Sequence, residues 1–349
     1  MGVDLILLSG FLGSGKTTLL VDFLRQDSAG ETGVIVNEVG EIGLDGAIVA
    51  DGSESVPMTL LANGCLCCSL RSHLVYTVGA MLEAPRPPGR PQLKRIILEA
   101  SGLSRPGPII ASLADPELSA RELRLSVVST YDCGFGSLNV EAFDEAAAQL
   151  AAAQRIVFTK LDRVSPGTLE HHRRVVAGAN PLAQVVAEAD RARAVALAFG
   201  AAPAPDPIDL ALRALGVTSS TGLKHPRIHV MTGTPKPELS WNELSLWLDD
   251  LAGYCGERLL RFKALLRVTD CPEPILIQSV GTTFSAPRRM MGQVNARDVC
   301  VAITRDLDAD DINAVLDAPA IELSAAGAPS ANNAGRWRKH GTLSSNLRK

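Results

Sequence analysis

No stretch of this 349-residue chain approaches the run of about 20 apolar residues that a membrane-spanning helix needs. The first apolar run, Val3 to Leu8, is shorter than the core of a secretion signal and has no basic segment ahead of it, so the expected compartment is the cytoplasm. Long basic blocks are missing from the first 330 residues and the net charge is −4. Neither a nucleic-acid groove nor a polybasic membrane anchor is therefore expected. A second cysteine knuckle is also missing. Of seven cysteines, three crowd into Cys65-Leu66-Cys67-Cys68, while Cys133, Cys255, Cys271 and Cys300 stand singly, as buried thiols of a reducing compartment would. With 46% hydrophobic residues the chain can bury a large core and fill two domains.

What is present begins at Gly10-Phe11-Leu12-Gly13-Ser14-Gly15-Lys16-Thr17, which fits the phosphate-binding pattern G-x-x-x-x-G-K-S/T at every fixed position and continues into Thr18. Val3 to Leu8 reads as a buried parallel strand, and Leu19, Leu20, Phe23 and Leu24 recur at helical spacing. Strand, glycine loop and helix come in the order that sets a phosphate on unpaired N–H groups at a helix N-terminus. The expected ligand is a nucleoside triphosphate with Mg²⁺. Gly10, Gly13, Ser14, Gly15 and Thr18 belong to the cradle, Lys16 supplies the charge that acts on the β- and γ-phosphates, and Thr17 supplies a hydroxyl for the cation.

Three further segments carry chemistry. A strand through Val34, Ile35 and Val36 runs into an acidic loop with Glu38, Glu41 and Asp45, where a nucleotide-responsive switch segment is expected. Cys65, Cys67 and Cys68 follow an Asn-Gly turn that can fold them inward onto Zn²⁺ or another thiophilic ion; the thiolates do not settle Zn²⁺ against Co²⁺, Fe²⁺ or Ni²⁺. Three thiols leave a shell to be completed by Glu38, His73, water or a recipient protein, which suits an ion that is loaded and passed on. Arg95 to Glu99 is a strand ending in a carboxylate, with Gly102 three positions later. Glu99 can hold Mg²⁺ or activate water, and the Gly102 N–H can sense the γ-phosphate.

A strand from Leu123 to Thr130 reaches Tyr131-Asp132, and an alanine-rich helix is expected from Glu141 to Ala153. Thr159-Lys160-Leu161-Asp162 then follows the strand Arg155 to Phe158 and fits the N/T-K-x-D pattern. The Asp162 carboxylate can accept from the ring N–H and the exocyclic amine of guanine while the Lys160 stem packs along the base, favouring GTP over ATP. His171 and His172 are read as surface residues of the next helix.

Gly10 to Leu20, Asn37 to Gly43, Cys65 to Cys68, Glu99 to Gly102 and Thr159 to Asp162 together resemble the five signatures of the CobW-type metallochaperone GTPases. These are relatives of the nickel-insertion GTPases of urease and hydrogenase and of nitrile hydratase activators. The resemblance implies an α/β fold, a P-loop NTPase domain with a mainly parallel sheet followed by a smaller α+β C-terminal domain. It also implies delivery of zinc or a related ion to a client metalloenzyme, driven by GTP binding and by hydrolysis that is slow until metal or client stimulates it. By the same likeness Cys65, Cys67 and Cys68 carry the ion and Glu38 lies close to it.

The GTPase domain is assigned to residues 1–215 and the second domain to 216–323, its body beginning near Lys224 after a Pro- and Ala-rich linker. A helix is expected from Ser240 to Ala252, with strands at Leu259 to Val268 and Pro274 to Val280. The family's His-rich tract is reduced here to His225 and His229. Residues 324–349 form a basic tail read as disordered. A phosphotransferase acting on a small metabolite and a zinc-stabilised, non-hydrolysing interaction protein are the alternatives. Monomer and homodimer are both compatible with the sequence.

Overall fold

The computed structural model describes residues 2–26, 30–37, 58–61, 69–86, 88, 91–119, 121, 123–200, 225–291, 298–316 and 319–326. Glu38, Glu41, Asp45, Cys65, Cys67 and Cys68 lie outside the described residues, as do the assigned domain boundary at 215/216 and residues 327–349.

The first sheet has seven parallel strands: β1 (Asp4–Gly10), β2 (Thr32–Asn37), β3 (Met58–Leu61), β4 (Arg95–Glu99), β5 (Arg124–Asp132), β6 (Arg155–Thr159) and β7 (Gln184–Val186), in the order β3-β2-β4-β1-β5-β6-β7. The strands read as unbroken apolar runs because both faces are covered. Leu5 and Leu7 of β1 face one layer, with helices α2 (Ser69–Glu83) and α3 (Pro106–Leu113); Ile6 and Leu8 face the other, with α1 (Lys16–Gln26). At β1 the strand order reverses, so a crevice opens at the carboxyl ends of β1, β4 and β5.

The alanine-rich segment expected as one helix is two, α4 (Gly136–Ala142) and α5 (Asp144–Ala152), parted at Phe143, whose backbone is extended (φ −125°, ψ 121°). The break turns the Phe143 ring onto Phe11 of the phosphate loop, stacked with ring centroids 4.8 Å apart. Helix α6 (Pro166–Ala179) corrects a second expectation. His172 is buried at 3% exposure, because His172, Val176 and Ala179 form the face that packs inward. Helix α7 (Arg191–Phe199) completes the layer beside α1.

The second sheet is antiparallel: β8 (Ile228–Pro235), β9 (Leu259–Val268), β10 (Cys271–Val280), β11 (Thr283–Phe284), β12 (Arg288–Arg289), β13 (Val299–Arg305) and β14 (Ile321–Ala325). Its order is β11-β10-β9-β13-β8-β14, with β12 on β10. The last strand takes in Ser324 and Ala325, the first two residues assigned to the tail. Helix α8 (Trp241–Cys255) starts at a capping box between Ser240 and Glu243 and lays Trp247, Leu248 and Leu251 on one face of this sheet. The other face, through Leu260, Val299, Val301 and Ile303, shares one hydrophobic core with the alanines of α5. Small side chains on α5 let the second sheet approach the first domain closely. Among the described residues no helix is long and apolar enough to cross a membrane.

Candidate functional site

The phosphate loop leaves β1 in a conformation only glycine adopts readily. Gly10, Gly13 and Gly15 have φ values of 140°, 69° and 93°. A β-carbon on Gly10 would also stand 2.2 Å from Thr130 Oγ1. Ser14 closes the loop from inside: its hydroxyl donates to Phe11 O at 2.6 Å and lies 2.6 Å from Thr130 Oγ1 on β5. Lys16 opens α1, is nearly buried, and directs Nζ to Phe11 O at 3.4 Å. A flexible ammonium on the rim of a ring of backbone N–H groups is suited to phosphate oxygens.

Thr17 Oγ1 donates to Glu99 Oε1 at 2.7 Å. The register makes this contact: Glu99 ends β4 opposite Leu8 of β1 on one side and Val36 of β2 on the other. A hydroxyl and a carboxylate are both hard oxygen donors, so the pair fits Mg²⁺ by donor chemistry. Beyond Glu99 the chain turns through Gly102 against the phosphate loop. A β-carbon there would lie 2.8 Å from Leu12 N and 2.9 Å from Leu12 Cα. Gly102 therefore packs against loop backbone.

On the other flank a cavity of about 550 Å³ is lined by Gly15, Thr18, Asp22, Lys160, Asp162 and Glu188. It joins the start of α1 to the Thr159-Lys160-Leu161-Asp162 segment. Thr159 fastens this segment to the phosphate loop, its hydroxyl donating to Ser14 O at 2.9 Å. Lys160 is left-handed (φ 55°), and its ammonium is paired with the buried Asp132 at 2.6 Å. Asp132 in turn accepts from Gly134 N at 2.7 Å. Asp162 is exposed at the mouth, its side chain 81% accessible.

The structure thus brings together Gly10, Gly13, Ser14, Gly15, Lys16, Thr17, Thr18, Glu99, Gly102, Lys160 and Asp162 along one edge. His73 is exposed on α2, four residues into that helix. Sequence reasoning assigned no task to Thr130, Asp132 or Gln149. Asp132 carried a signal, a carboxylate at the end of a parallel strand, the position that drew attention to Glu99. Beside it, burial followed by the Asp132 charge pushes the Cys133 thiol up to about 12, and burial raises Tyr131. Both remain neutral, and Tyr131 OH meets His172 Nδ1 at 2.9 Å. They belong to the packing under the site.

A parallel sheet with a glycine loop at its switch point, a lysine and hydroxyl on the first turn of the following helix, and a strand-end carboxylate defines a P-loop nucleotide-binding protein. The second, antiparallel domain narrows the class, and the chain belongs to the CobW/HypB/UreG family. That family's nucleotide-binding domain matches residues 4–187, and the domain described as the cobalamin synthesis protein cobW C-terminal domain matches residues 228–319. Escherichia coli (strain K12) zinc chaperone YjiA is 27% identical over 328 residues, 89% of this chain and 97% of that protein. A Sinorhizobium zinc chaperone CobW is 27% identical over 319 residues, 78% of this chain and 84% of its own. Zinc-regulated GTPase metalloprotein activator 1 of Schizosaccharomyces pombe is 28% identical over 190 residues, 53% and 45% of the two chains. Among solved structures, Zn(II)-bound YjiA GTPase from E. coli superposes with a TM-score of 0.60 at 22% identity, covering 90% of this chain and 98% of that one, a likeness of fold.

Proposed function

We propose that this protein is a GTP-dependent metallochaperone, a GTPase that loads a divalent ion on Cys65, Cys67 and Cys68 and releases it to a client metalloenzyme. One observation carries the reading. β2 and β3 end side by side, Asn37 opposite Leu61, on the edge of the sheet where β4 presents Glu99 to Thr17. Glu38 is the next residue after β2, and Cys65 is four residues beyond β3. Both segments start from the edge that holds the phosphate loop. The zinc named for the relatives YjiA and CobW supports zinc as cargo. Thiolates also bind Co²⁺, Fe²⁺ and Ni²⁺.

Gly10, Gly13, Ser14 and Gly15 hold the β- and γ-phosphates with Lys16, and Asp162 reads guanine while the Lys160 stem lies along its plane. Thr17 and Glu99 hold Mg²⁺, which when bound neutralises charge developing on the phosphate oxygens. Glu99 orients the water that attacks the γ-phosphorus; the bond to the bridging oxygen breaks and GDP and phosphate leave. Glu38 follows the γ-phosphate and closes on the thiolate site while GTP is present. Hydrolysis frees that segment and lowers affinity for the ion as client ligands become available. The division into residues 1–215 and 216–323, a cytoplasmic setting and Gly102 as γ-phosphate sensor belong to the same proposal.

Nucleotide and metal affinities must then be coupled reciprocally. Zn²⁺ affinity measured with a non-hydrolysable GTP analogue and with GDP should differ by at least about tenfold, a coupling within the usual range. Equal affinities end the gating reading, and loss of the difference in Cys67→Ala assigns it to the cysteine turn.

A further inference from the structure

Strand pairing ends at Ala100, whose N–H donates to Leu8 O, so the carbonyls of the loop beyond it need other partners. One side chain supplies two of them. Gln149, in the middle of α5 and 1% exposed, donates from Nε2 to Gly102 O at 3.0 Å and to Ser104 O at 2.9 Å. A primary amide suits this, because its two N–H groups reach two carbonyls at once without burying a charge; Glu and Met offer no such donors. The price is visible in the same residue, whose Oε1 is buried with no hydrogen-bond partner among the described residues. An apolar side chain of similar shape would avoid that penalty. The amide therefore answers a need of the loop rather than of the core.

The same loop is held to the same helix a second time, Arg105 Nη2 donating to Glu145 Oε1 at 3.0 Å. Helix α5 is itself fixed at both ends. Asn180 Nδ2 donates to Leu150 O, Ala151 O and Ala153 O, and Arg261 of β9 donates to Ala152 O. Asp144 at its start is paired with Arg305, the last residue of β13, and with Arg227, the residue before β8. Gly102 is thus referenced through Gln149 to a bar clamped between the two domains.

We infer that Gln149 is a positioning residue for recognition of the γ-phosphate, setting where the Gly102 N–H stands against the phosphate loop and tying that position to the C-terminal domain through α5. The inference rests on the proposed role of Gly102. It separates GTP from GDP, since a displaced Gly102 N–H loses a contact that only GTP offers.

The test uses the full chain and two nucleotides, GDP and a non-hydrolysable GTP analogue, titrated into wild type, Gln149→Met and Gly102→Ala, with thermal unfolding recorded for each. Wild type should bind the analogue in preference to GDP. In Gln149→Met the analogue should weaken by about tenfold, the equivalent of one hydrogen bond to a charged group, with GDP affinity changed less than about twofold. Gly102→Ala, whose β-carbon meets the Leu12 backbone of the phosphate loop itself, should weaken the analogue at least as much and weaken GDP as well. A folded Gln149→Met protein that keeps the wild-type ratio, or that weakens both nucleotides alike, overturns the inference while leaving the nucleotide reading intact. Wild type that binds neither nucleotide overturns both. Should Gln149→Met not fold, hydrogen exchange of wild type decides. Exchange at residues 102–105 and at 144–152 should change together between the two nucleotides, and a change confined to 102–105 overturns the inference.

Discussion

Thr17 Oγ1 donates to Glu99 Oε1 at 2.7 Å, joining the first turn of α1 to the end of β4 across the phosphate loop. A carboxylate in this place differs from an amide in charge but hardly in shape. Glu99→Gln keeps an oxygen that accepts from Thr17, so thermal stability should stay near wild type. Mg²⁺-dependent phosphate release should fall about a hundredfold, the usual range for losing a positioned base. Phosphate release followed against Mg²⁺ concentration checks this. A rate within twofold of wild type would leave Glu99 as a strand-end residue without a chemical task.

Lys160 has a left-handed backbone, and its ammonium is held by Asp132, 2.6 Å away and almost fully buried. Asp132→Asn leaves the Gly134 N–H an acceptor but removes the charge opposite Lys160. GTP and GDP should both weaken by about tenfold, since the pocket proposed for guanine would serve both, at a cost in stability of about 1 to 3 kcal/mol for the disturbed pair. Calorimetric titration with both nucleotides is the measurement. Unchanged affinity with lowered stability would make the pair structural only.

The legible part of this fold was the part built from local rules. Apolar runs such as Leu5 to Leu8 marked strands buried on both faces, and the glycines from Gly10 to Gly15 marked a loop whose dihedrals exclude other residues. Glu99 was marked as the carboxylate that ends an apolar parallel strand, and Asp162 by the N/T-K-x-D pattern that follows another. What escaped was set by partners far along the chain. Phe143 leaves a helical alanine run to stack on Phe11, and no periodicity around residue 143 records that. Gln149 reads as one polar residue among alanines until the carbonyls of Gly102 and Ser104 are seen above it. His172 was recoverable, since with Val176 and Ala179 it keeps the i, i+4, i+7 spacing of a buried face.

That histidine makes stability depend on acid. Burial, reinforced by neighbouring His171, lowers the His172 pKa below its ordinary 6.5, while Tyr131 OH engages Nδ1. The native state therefore resists a proton that the unfolded chain accepts. Its contribution is undiminished above pH 6.5 and is lost as pH falls from there through the lowered native value. Wild type should lose stability between pH 7.5 and 5.5, at about one pH unit to either side of the free histidine range. His172→Gln, which can still bond Tyr131 and does not titrate there, should lose less. Denaturant midpoints at the two pH values compare them, and parallel slopes would remove His172 as the cause.

Arg261 presents the opposite case, a charge kept inside. It is 2% exposed on β9, burial lowers its pKa to about 10, and its guanidinium donates to Ala152 O at the end of α5. A buried cation held mainly by a backbone carbonyl gains little against its lost hydration, so charge alone does not explain the residue. Volume and the bridge between domains do. Arg261→Met, which keeps most of the volume, should change stability by less than about 1.5 kcal/mol. Arg261→Ala leaves a hole where the two domains share one core and should destabilise by about 2 to 4 kcal/mol. Chemical unfolding of the two variants beside wild type separates the contributions. Were the Met variant as damaged as the Ala variant, the ionic hydrogen bond to Ala152, and not the filled space, would be what joins β9 to α5.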